Sequence, residues 1–122
     1  MKRQFRITRS NDFKRVRRYG KSYTHPFAVL TVLHAEGEFS RAGIITGKSV
    51  GNAVKRNRAK RQLRAIIFKF LPEFQKTTDV LLIAREPVQK ATFTEIESAV
   101  RQLLVRAELI NPEAYDAGRP GN

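Results

Sequence analysis

The sequence predicts an α+β sandwich: one four-stranded sheet carrying packed helices, in the chain order α-β-β-β-α-β-α. Three observations carry that expectation. Short β-rich apolar runs, notably FAVLTVLHA and DVLLIAR, are separated by turn residues. Two longer segments, beginning near Asn52 and Thr92, place apolar residues at helical spacing. The chain is 122 residues long with 41% apolar content, which fits one domain with one modest core.

Each element follows from local chemistry. SNDFKRVRRYG opens the first helix: Ser10 or Asn11 can cap it, and Asp12 suits the positive end of the helix dipole. Phe13 and Val16 share one face, and Gly20 closes the helix. KSYT reads as a short strand before His25-Pro26. Phe27 to Ala35 and the strand RAGIITG are joined by the turn EGEFS, so residues 27–47 are expected to form a hairpin. Strand alternation sends Val29 and Thr31 to one face and Ala28, Leu30 and Val32 to the core.

A helix from about Asn52 to Leu71 is stopped by Pro72. Asp79 to Arg85 is a strand apolar on both faces, as expected for the sheet interior after a crossover. Glu86-Pro87 breaks it. The last helix, capped by Thr92 or Thr94, carries an apolar stripe of Ile96, Val100, Leu103, Leu104 and Ala107. Residues 1–111 therefore read as a single domain with a basic N-terminal arm over 1–9. Residues 112–122 read as a flexible tail.

Charge narrows the function. Twenty-four Lys and Arg face eleven Asp and Glu, a net charge of +13. Such a domain repels itself, so a polyanion is its natural partner. Nine of the basic residues lie in 1–21 and eight in 41–64. No acid occurs between Phe39 and Pro72. Without cysteine there are no disulfides or thiolate metal sites. No apolar run approaches the ~18 residues of a membrane span, and the cationic N-terminus lacks a signal peptide's apolar stretch. The chain reads as soluble and intracellular, with no membrane as its target.

The sharpest feature is KSVGNAVKRNRAKRQLRAIIFKF. Six of the ten residues from Lys55 to Arg64 are basic. On a helix of about 100° per residue, Ala59, Leu63, Ile66, Ile67 and Phe70 form one stripe. Arg56, Asn57, Lys60, Arg61 and Arg64 form the adjoining one, with Lys55, Arg58 and Gln62 on the outer side. Cations near a helix start oppose its dipole, and like charges at i, i+4 cost ~0.2–0.5 kcal/mol per pair. A solvated face or an import signal is the bland explanation, but a solvated face normally interleaves Glu. Phosphates would complete this site, with Gly51 permitting close approach.

RAGIITGKSVGNAVKRNRAKRQLRAIIF resembles the signature of the bacterial ribonuclease P protein subunit, close to G-x-A-V-x-R-N-R-x-K-R-x-x-R. Gly51, Ala53, Val54, Arg56, Asn57, Arg58, Lys60, Arg61 and Arg64 complete the pattern. The likeness extends over about residues 5–109, including DFKRV and DVLLIAR. It implies the family's fold, with a left-handed βαβ crossover, and a non-catalytic protein within a cytoplasmic bacterial ribonucleoprotein enzyme, with RNA and not DNA as its partner. The catalytic RNA subunit, with its Mg²⁺ ions, would remove the 5′ leader from precursor tRNA. Arg56, Asn57, Arg58, Lys60, Arg61 and Arg64 match the family's RNA-binding motif. Lys55, Lys48 and Arg9 extend that RNA-binding set. The leader would lie in a cleft of Phe13, Arg17, Val29 and Thr31, with Phe27 at its edge. Family members often carry aromatics where this chain has Arg17 and Thr31, which weakens base stacking there.

Other candidates carry less chemistry. His25 and His34 have no partner at ligand spacing, and Glu95 and Glu97 point to different sides of their helix. A protein nuclease would need clustered carboxylates or a paired acid and base. The basic half offers only Asp12, Glu36 and Glu38 before Glu73. A ribosomal-type basic protein is the alternative that composition leaves open.

Overall fold

The computed structural model describes residues 3–112. Strands β1 (Lys21–Thr24), β2 (Ala28–His34), β3 (Arg41–Ile45) and β4 (Thr78–Ala84) form one sheet in the spatial order β1-β2-β4-β3. Helices α1 (Ser10–Tyr19), α2 (Ala53–Phe70) and α3 (Phe93–Arg106) pack on it. The architecture is the α+β sandwich expected. Lys2 and the tail from 113 onward lie outside the described residues.

One pairing differs from the expectation. Residues 27–47 do not form a hairpin: β4 runs between β2 and β3, antiparallel to β2 and parallel to β3. The hairpin is β1–β2, with Thr24 opposite Val29. The reason lies in β4, where Thr78 to Leu82 and Ala84 are buried. A strand apolar on both faces belongs in the middle of a sheet, so the less apolar β3 is displaced to the edge.

Two apolar clusters sandwich the sheet. Leu63, Ile66, Ile67 and Phe70 of α2 and Ile96, Val100, Leu103 and Leu104 of α3 pack over Ala28, Leu30, Val80 and Leu82. Each such side chain contributes about 1.5–3 kcal/mol on burial. On the opposite face Val16 of α1 joins Leu81 and Ile7, with Phe13, Leu33 and Ile45 against them.

The helix ends sort by their chemistry. Thr92 and Glu95 form a reciprocal capping box at α3. Asn52 caps α2, its side chain accepting from Lys55 N at 3.0 Å. For α1 neither Ser10 nor Asn11 is the cap. Both lie inside the helix, and Arg9 holds the cap position with no side-chain bond. Nor is the basic segment before α1 a free arm throughout. Arg6 bridges Ala42 of β3, and Ile7 N donates to Ala42 O at 2.9 Å. Among the described residues, no helix is long and apolar enough to cross a membrane.

Candidate nucleic-acid interface

The interface starts at the turn into α2. Gly51 has φ +127, a backbone conformation that side chains other than hydrogen disfavour. It reverses the chain after the single 3-10 turn Lys48–Val50, whose Val50 is fully buried. Asn52 then starts α2. The five residues assigned to the apolar stripe, Ala59, Leu63, Ile66, Ile67 and Phe70, are the buried residues of this helix. Burying that stripe fixes the rotation of α2, which in turn fixes the direction of every cation on it.

Lys55, Asn57, Arg58, Lys60 and Arg61 are exposed, and Arg56 and Arg64 are half-buried. The cations divide between the two flanks of the helix. Lys60 and Arg64 overlook the β3 edge, while Lys55, Arg58 and Gln62 border a small hollow against Gln89. The latter three are therefore not simply outward. Among the described residues, the ion pairs involve Asp12, Asp79 and Glu97, and none reaches a cation between Lys55 and Arg64. Lys48 and Arg9 are exposed as well.

Lys60 and Arg64 meet Phe13 across the β3 edge. Together with Arg6, Thr8 and Gly43 they line a recess of about 240 Å³. Gly43 makes this possible. A Cβ at that position would lie 2.7 Å from Phe13 Cε1 and 2.9 Å from Leu81 Cδ2. Phe13 thus rests on bare strand backbone. It is partly buried, with its base on the Val16–Leu81 cluster and its rim in the recess.

The remaining cleft residues divide. Arg17 is exposed on α1, and Val29 is half-buried on the α1 side of the sheet. Thr31 faces the same side but is only 2% exposed, sharing a 2.9 Å hydrogen bond with Ser22 Oγ. Gly20, at the end of α1, approaches it so closely that a Cβ there would lie 2.8 Å from Thr31 Cγ2. Phe27 packs against the larger cluster, with its ring 5.1 Å from that of His25. Of the residues expected in the cleft only Phe13 lines this recess; Arg17, Val29, Thr31 and Phe27 lie outside it.

An ionic network beside the cleft had no prominent signal in the sequence. Asp79 is buried at the start of β4, its carboxylate accepting from Arg41 Nε at 3.0 Å and Arg41 Nη2 at 2.8 Å. Arg15 Nη2 of α1 donates to Asp79 and Asp12, each at 3.2 Å, and Arg41 Nη1 reaches Asp12 at 3.4 Å. Hydrogen bonding to Asp79, aided by the charges of Asp79 and Asp12 and opposed by burial, raises the Arg41 pKa above its ordinary value. The network ties α1 to β3 and β4. The only clue was a lone acid leading a strand otherwise apolar on both faces. Both carboxylates are engaged by arginines.

Comparison with known proteins converges on one family. A sequence model described as Ribonuclease P matches residues 1–108. The ribonuclease P protein component of Herpetosiphon aurantiacus is 38% identical over 89% of this chain and 89% of its own length. That of Halalkalibacterium halodurans is 34% identical over 93% and 96%. Among solved structures, the RNase P protein of Staphylococcus aureus superposes with a TM-score of 0.79 at 29% identity, covering 88% of this chain and 98% of that one. The Thermotoga maritima RNase P protein gives 0.74 at 26% identity, over 83% and 96%.

Proposed function

The chain belongs to the bacterial ribonuclease P protein family, and from that premise we propose that it assists the catalytic RNA through two separate contacts. The observation that carries this reading is the recess where Phe13 meets Lys60 and Arg64. It joins an apolar ring to unpaired cations on a rigid frame. RNA needs both: cations neutralise phosphate, and aromatic rings stack on unpaired bases.

In the first contact, Arg56, Arg58, Lys60, Arg61 and Arg64 neutralise phosphates of the RNA subunit, helped by Lys48, Lys55 and Arg9. Asn57 adds a neutral hydrogen-bonding group among them. The like-charge cost along α2 is then relieved by the partner. In the second contact, the extended 5′ leader of precursor tRNA lies over Phe13, flanked by Arg17 and Val29. Thr31 acts beneath this surface by holding β1 to β2, and Phe27 acts in the core. Stacking here rests mainly on Phe13, with Arg17 supplying charge and a planar guanidinium.

Reconstitution tests the assignment. Adding the protein to the RNA subunit should lower the Mg²⁺ concentration needed to cleave precursor tRNA. An unchanged Mg²⁺ requirement would count against it and favour a ribosomal-type role. Cleavage by the protein alone, abolished by replacing an Asp or Glu, would make it a nuclease in its own right.

A further inference from the structure

A second recess lies beyond the one already described. It has a volume of about 550 Å³, within the usual range for ligand sites, and four phenylalanines, Phe5, Phe39, Phe68 and Phe74, line it. Phe39 is 41% exposed, and Phe5 holds it edge-on with ring centroids 5.3 Å apart. Phe39 is the exposed ring; Phe5, Phe68 and Phe74 are half-buried against the core and give the hollow an aromatic floor. Their positions in the chain are far apart, so no sequence pattern announces them.

Its neighbourhood says what it takes. Phe68 lines this recess and the Phe13 recess alike. Lys60, Arg64 and Phe68 stand four residues apart, on one face of α2, spanning about 12 Å along the helix. A chain of phosphates tracking from Lys60 to Arg64 therefore arrives at the aromatic wall. Lys76 and Glu38 also line the recess, one a cation for a further phosphate and the other an acceptor for an exocyclic base amine.

We propose that this recess accepts an unpaired nucleobase of the catalytic RNA subunit, stacked on Phe39. The inference rests on the ribonuclease P reading and adds a third RNA contact to it. Walled by aromatic and apolar side chains, the pocket suits a base. The cations on its approach suit a phosphate backbone rather than a protein segment.

The chain contains no tryptophan and three tyrosines, so Phe39→Trp gives a single tryptophan at the rim, excited selectively at wavelengths where tyrosine does not absorb. Titrating this variant with the RNA subunit should quench its emission at the stoichiometry of binding. Phe39→Ala should weaken RNA binding about 5- to 150-fold, the loss of one stacked base, with the salt dependence of binding unchanged. Circular dichroism of both variants checks that the fold is intact. RNA binding by Phe39→Ala at native strength would overturn the proposal, as would binding by Phe39→Trp without quenching. Quenching already present without RNA, and released by deleting residues 113–122, would show that the chain's own tail fills the recess and would also overturn it. Failure of the native chain to bind the RNA at all is a separate result, and removes the ribonuclease P reading itself.

Discussion

Phe13 packs in the core while keeping its rim open, and in the proposed function the one ring serves packing and recognition together. It stands on Gly43, shares the Val16–Leu81 cluster, and still offers its rim to the recess. Phe13→Ala should weaken binding of tRNA carrying a leader more than binding of mature tRNA, by roughly the 1–3 kcal/mol of one stacked base. Equal weakening of both in a binding titration would indicate a folding defect. The sequence marked Phe13 by its spacing from Val16, but Gly43 beneath it passed unnoticed, because strand register decides which residues touch. His25 is a second residue with a testable signature. Burial, and then the charge of Arg106, hold its pKa below the ordinary 6.5. Its Nδ1 accepts from Phe27 N at 3.0 Å, which requires the neutral ring. As pH falls through about 6.5 the unfolded chain takes up a proton more readily than the folded one, so stability falls. Urea midpoints at about pH 7.5 and about pH 5.5 should therefore differ more in the native chain than in His25→Asn.

At the scale of elements, the beginnings of α1 and α2 make a direct contrast. Asn52→Ala removes a side-chain cap and should cost ~1 kcal/mol in urea denaturation. Ser10→Ala and Asn11→Ala should each cost less than about 0.5 kcal/mol, since neither caps α1. Both helices were legible from their periodicity, and the α2 stripe was read residue for residue. The cap of α1 was misread because several suitable residues stood together, and the ion pairs of Arg15 hold that helix instead. In the proposed function, helix α2 also carries the ionic half. Replacing Arg61 and Arg64 together by Ala should reduce the slope of log binding constant against log salt by about 1.4–1.8. An unchanged slope in titrations at several salt concentrations would mean that both side chains remain solvated in the complex.

Across the whole molecule, charge and topology are linked. The basic windows at 1–21 and 41–64 are remote in sequence, yet Arg6, Lys60 and Arg64 line one recess because the segment around Ile7 follows the edge of β3. Composition alone pointed to a polyanion as the partner; it could not disclose that β4 enters between β2 and β3. Pairing of distant strands depends on which strand is most deeply apolar, and the short turn EGEFS pointed to the wrong neighbour. The order of the strands also bears on how the protein is made. The middle of the sheet is its last strand to be synthesised, and β2 meets it across more than forty residues of intervening chain. Until Ala84 has left the ribosome, α2 has only part of the surface that buries its apolar stripe. Contacts of such long range make for slow folding. On the proposed function, an RNA that binds only the finished surface would draw the equilibrium toward it by mass action, and assembly would then also be a step in maturation.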